Sequence, residues 1–164
     1  MENCLNILHF CFYRAHYKSH LFANKINPFR LLAEMSFIKK RLEKKGITNI
    51  QEEIDKAFGD KNFGLSMTVA GGILLAILFF FFLALVNLYI GLFDLEVNLS
   101  MVHFIPCGVL SILLSYFYVF KKDKYIKYFD EFEKWRKPQS RKYGWLSFTF
   151  LLLVIVLFII GIKF

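Results

Sequence analysis

Charged side chains are missing from three long stretches of this 164-residue chain, and that absence excludes more than any motif it contains. Residues 62–93, a run of 32, have no Asp, Glu, Lys, Arg or His. Residues 97–120 carry a single imidazole, His103, together with Pro106. Residues 143–162 are almost unbroken Leu, Ile, Val and Phe after Trp145. A charge at the bilayer centre costs about 2.5–3.5 kcal/mol on the insertion scale, so runs of this kind suit membrane-crossing helices. The runs also lack the alternation of polar and apolar residues that a closed barrel would show.

Further absences narrow the function. Cys4, Cys11 and Cys107 make neither a paired disulfide framework nor a CxxC metal site. No ionisable carboxylate or amine lies within a span, which argues against a pump or proton-coupled transporter. Ser100 and His103 with Asp94 or Glu96 superficially resemble a triad, but no oxyanion-hole glycine motif lies nearby, and no catalytic residue is assigned. No GxxxG motif is present around Gly71 in the first span. The apolar stretch 5–13 is too short for a signal peptide and follows Glu2 rather than a basic region, so the first span is expected to act as an uncleaved insertion signal.

What the chain does have is 57% hydrophobic residues, 19% aromatic ones, and 21 Lys or Arg against 13 Asp or Glu. That composition fits neither a disordered chain nor a soluble domain of this length. It predicts an all-α integral membrane protein with three transmembrane helices plus cytoplasmic amphipathic helices. The expected division is an N-terminal region, 1–61, with helices near 29–45 and 49–58, and a membrane domain, 62–164, with spans near 65–93, 98–120 and 143–162. Nine basic residues fall in the loop 121–142, eleven precede the first span, and only Asp94 and Glu96 are charged between the first two spans. Excess Lys and Arg mark the cytoplasmic side, which puts the N-terminus inside and the C-terminus outside a plasma or inner membrane.

Residues 3–33 contain no acidic side chain. Cys4, His9, Cys11, His16 and His20 have spacings that fit no closed zinc pattern, so no metal and no cofactor is expected. A start at Met35, with the preceding residues as translated upstream sequence, is the alternative for this region. Leu31, Met35, Ile38 and Leu42 share a helical face that leads into Lys39, Lys40, Arg41, Lys44 and Lys45, and Gly46 ends the segment. Such a basic helix is drawn to anionic lipid at about 1 kcal/mol per well-placed cation, or serves only to enforce topology. Thr48 and Gln51 suggest a capping box for a second helix, with Ile50, Ile54, Ala57 and Phe58 on one face. Its Glu52, Glu53 and Asp55 would repel phosphates, so no nucleic-acid partner is expected.

In the basic loop, residues 121–137 can form about four helical turns. Tyr125, Phe129 and Phe132 make one stripe, Tyr128 and Trp135 lie beside it, and Pro138 is expected to stop the helix. This helix should lie on the membrane or against the N-terminal helices, with Lys134, Arg136 and Lys137 as contacts to anionic lipid or a partner. In the second span Cys107, Gly108, Ser111 and Ser115 form a small polar stripe, and Asn87 supplies a polar group in the first. The second span is therefore expected to pack centrally, with the third mostly facing lipid. The leading expectation is a non-enzymatic subunit or scaffold that contacts membrane lipid and assembles with itself or another membrane protein. Its rivals are an oligomeric pore or membrane-disrupting effector, and a lipid-modifying or lipid-transporting enzyme.

Overall fold

The computed structural model describes residues 1–26, 49–93 and 101–163, with isolated positions 35, 37, 40, 44 and 46. The described residues are helical and include no strand. In chain order the helices are α1 (Glu2–Ile26), α2 (Ile50–Gly59), α3 (Leu65–Leu92), α4 (Met101–Ser115), α5 (Lys124–Phe132) and α6 (Lys137–Lys163). A π-helical turn, Tyr116–Phe120, and a 3-10 turn, Lys121–Asp123, carry α4 into α5. Three helical stretches are long and apolar enough to cross a membrane: Leu65–Leu92, Met101–Phe132 and Lys137–Ile162. Apart from positions 35, 37, 40 and 44, the expected helix near 29–45 lies outside the described residues, as does the acidic link between the first two spans.

The chain divides into two compact units: Met1–Phe12 with Gly71–Phe164, and Tyr13–Ala70. In the first unit, the contacts along α3 give its neighbours' directions. Phe79 stacks on Phe104, while Gly71 meets Phe120, so α4 and the π turn run antiparallel to α3. Phe81 contacts Phe150, and Asn87 meets Gly161, so α6 runs parallel to it. Successive crossings of a membrane would alternate in this way. The first helix is the most covered of the three, at 39% against 22% and 17%. The expectation that the second span is central is therefore corrected: α3 has α4 and α6 as neighbours. On α6, buried Ser147, Val154 and Gly161 recur every seventh residue, a narrow seam that leaves most of the helix exposed.

Several boundaries also differ from expectation. Asn49 caps α2, one position after Thr48; its side chain accepts from the backbone N–H of Gln51 and Glu52, satisfying donors that a helix start leaves open. The loop helix ends at Phe132, six residues before Pro138, as Lys134 and Trp135 donate to the carbonyls of Glu131 and Phe132 in a tighter turn. Pro138 instead occupies the first turn of α6, where its missing N–H leaves no helical bond unmade. Lys137, Arg141 and Lys142 consequently sit on the same helix as the third apolar run.

Candidate functional site

The first unit is organised around the irregular backbone after α4. A π turn adds a residue to the helical repeat and displaces carbonyl groups from their usual partners. Side chains from flanking helices take up two of them. Asn6 of α1, fully buried, donates its Nδ2 to the Tyr118 carbonyl at 2.9 Å and to the Glu2 carbonyl at 2.9 Å. Lys124 donates its Nζ to Glu2 Oε2 at 2.9 Å and to the Phe117 carbonyl at 3.5 Å. Tyr128 donates its hydroxyl to Glu2 Oε1 at 3.2 Å. The hydrogen bond from Lys124 is the chief reason that the Glu2 carboxyl lies below its ordinary range, as it favours the charged form.

Beyond these polar contacts, α1 and α5 share an aromatic core. The His9 ring lies 5.1 Å from Phe129, 5.4 Å from Phe120 and 5.6 Å from Tyr125. Phe10 meets Phe129, Phe132 and Trp135 edge-on, and Trp135 stacks on Tyr143 of α6 at 4.5 Å. Tyr125, Phe129 and Phe132 are all buried, so the aromatic stripe of the loop is covered by the start of α1. At Gly71 the packing is close: a Cβ there would stand 3.1 Å from the Phe120 ring and 3.9 Å from His9 Nε2.

The expected packing residues take defined places. Cys107, Ser111 and Ser115 are buried on one face of α4, continued by Val119; Gly108 lies beside them, half-buried, with open space where a Cβ would point. Ser111 donates to the Cys107 carbonyl at 2.7 Å, which satisfies its hydroxyl within its own helix. Asn87, 3% exposed, packs where a Cβ on Gly161 would be only 2.8 Å away, and neither of its side-chain polar atoms has a hydrogen-bond partner among the described residues. Among the cations singled out, Lys134, Arg136 and Lys137 are exposed around the turn from α5 to α6. Lys40 and Lys44 are exposed, while Lys39, Arg41 and Lys45 lie outside the described residues.

The second unit brings α1 together with α2 and the first turn of α3 through a polar ladder that hydropathy does not reveal. Tyr13 donates its hydroxyl to the Gly59 carbonyl at 2.6 Å, and His16 Nδ1 lies 3.0 Å from Ser66 Oγ. His20 stacks on Phe58 with centroids 3.6 Å apart. The same Asp55 oxygen sits 3.1 Å from His20 Nε2 and accepts from Asn24 at 3.0 Å and Gln51 at 3.3 Å. The cysteine and histidine residues noted in the N-terminal region are thus distributed, with Cys4, His9 and Cys11 in one unit and His16 and His20 in the other. Among the described residues, no three His, Cys, Asp or Glu side chains are grouped to hold a metal ion. No known protein family, curated protein or solved structure matches the chain.

Proposed function

We propose that this chain is a non-enzymatic integral membrane protein, a three-pass subunit or scaffold of a membrane complex, with its N-terminus and basic loop on the cytoplasmic side of a plasma or inner membrane. The observation that carries this reading over the pore is the burial of the polar stripe of α4. Cys107, Ser111 and Ser115 are 4%, 2% and 1% exposed, so these groups are buried within one chain and would not line a lumen between copies. The outward residues of α4 include Val102, Ile105, Val109, Ile112 and Leu113, a surface suited to lipid or to another apolar helix. Orientation rests on the nine basic residues of the loop 121–142 and on Glu2, at the start of α1, bonding to Lys124 within that loop.

Extraction in mild detergent followed by identification of accompanying proteins tests the subunit reading: a discrete complex with another membrane protein or with further copies is expected. Leakage of dye from vesicles containing the purified chain would replace it with the pore. A lipid-dependent activity abolished by changing Lys134, Arg136 and Lys137 would replace it with the enzyme. Orientation is checked in a background lacking Cys4, Cys11 and Cys107. A cysteine at Asn98 should label only from outside and one at Gln139 only from inside; labelling of both from one side would overturn the three-pass arrangement.

A further inference from the structure

A cleft of about 660 Å3 opens at the end of α4, between its last turns and the irregular turns that follow. That size is within the usual range for small-ligand sites. Its composition is graded along the chain. Leu113, Leu114, Phe117 and Tyr118 form an apolar and aromatic wall, and Lys121, Lys122 and Lys124 stand at its end. The three cations are not equivalent. Lys124 is engaged by Glu2 at 2.9 Å. Lys121 and Lys122 are exposed, and neither has a carboxylate partner among the described residues. Lys121 Nζ lies 5.0 Å above the centre of the Phe117 ring, so this cation and the apolar wall adjoin directly. The backbone that presents them is irregular throughout, passing from the π turn to Lys122 and Asp123, both left-handed at φ 58 and 51.

We infer that this cleft binds one anionic phospholipid, with Lys121 and Lys122 at the phosphate and Leu113, Leu114 and Phe117 against the acyl chains. The assignment rests on the reading of α3, α4 and α6 as membrane-crossing. It follows from the order of the chemistry: a small soluble anion would use the cations alone and make no use of the adjoining wall, where Leu113 and Phe117 are 45% and 47% exposed. A phospholipid has both parts in the matching sequence, with the phosphate at the membrane surface and the chains running along α4. The site is distinct from Lys134, Arg136 and Lys137, the loop cations that sequence alone singles out.

The test uses the full chain reconstituted in vesicles of equal phosphatidylcholine and phosphatidylglycerol, extracted in neutral detergent, with retained lipid counted by native mass spectrometry. Wild type should hold phosphatidylglycerol in preference to phosphatidylcholine and keep it in excess inorganic phosphate. Lys121→Gln with Lys122→Gln should weaken that retention on the order of thirtyfold, whereas Lys127→Gln with Lys142→Gln should leave it unchanged. Lys121→Arg with Lys122→Arg should retain the lipid, which separates loss of charge from loss of fold. Equal retention by the double glutamine variant, no preference for the anionic lipid, or displacement by inorganic phosphate or an acidic protein would overturn the assignment. Failure of the membrane reading would show separately, as release of the wild-type chain from membranes by alkaline carbonate.

Discussion

Asn6 and Tyr118 are 112 residues apart in sequence and joined by a 2.9 Å hydrogen bond from the Asn6 side chain to the Tyr118 carbonyl. The bond supplies a side-chain partner for a carbonyl within the π turn. Replacing Asn6 with Leu should lower stability by about 1–3 kcal/mol, since a buried acceptor is then left without its donor. The loss should be read as a lower melting temperature in detergent and faster amide exchange around residues 116–120. Unchanged exchange there would mean that the turn does not depend on α1.

The contact between Glu2 and Lys124 has a pH signature. Because the folded-state carboxyl lies below its ordinary value of 4.5, its contribution is fully present above that value and is lost as pH falls through the lowered folded-state value. Wild type and Glu2→Gln should therefore differ in melting temperature near neutral pH and converge well below pH 4.5. A difference that grew on acidification would contradict the assigned sign.

Gly161 offers a steric test of the α3–α6 seam, since an added Cβ would meet Asn87 Cβ at 2.8 Å. Gly161→Leu should cost about 1–3 kcal/mol through overpacking. Leu153→Ala, at a position 49% exposed, should cost much less in detergent. Comparable losses at the two sites would place the seam elsewhere on α6.

Lys122 adopts φ 58 and ψ 33, a conformation that costs an L residue roughly 1–2 kcal/mol and glycine little. Lys122→Gly should consequently stabilise the chain by about 1 kcal/mol in detergent free of anionic lipid, after allowing for glycine's extra unfolded-state entropy. A lower melting temperature would show that the side chain contributes more than its backbone strain removes.

Much of this architecture is legible in the sequence because exclusion of charge is a strong, local signal. The runs 62–93 and 143–162 coincide closely with α3 and the apolar part of α6. The aromatic stripe Tyr125, Phe129 and Phe132 is likewise readable from spacing, and it is buried. α1 escapes such a reading for a physical reason: its buried side includes Asn6, His9 and Asn24 among Leu5, Phe10 and Tyr13, so no apolar period stands out. Those polar groups become interpretable only when Tyr118 and Asp55 are placed beside them, and sequence alone does not supply those neighbours. Coverage of α3 rather than α4 follows from close approach at Gly71 and Gly161, neither of which belongs to a recognisable small-residue motif. The basic cleft was equally hidden, because Lys121 and Lys122 read simply as topology signals until the π turn sets them beside Phe117.

The pairing of Asn6 with Tyr118 also bears on how the protein is made. The first turns of α1, with Asn6, His9 and Phe10, wait for the π turn and α5, both distant in synthesis, before their buried side acquires those neighbours. At about 5–20 residues per second, the 112 residues from position 7 to position 118 take roughly 6–22 s to be made. During that interval α3 is already synthesised while Phe10 has yet to meet Phe129 and Phe132. Closure of the aromatic core is thus a late event, following synthesis of α4 and the π turn, and factors that shield an amphipathic nascent helix would act on the start of α1 in the meantime.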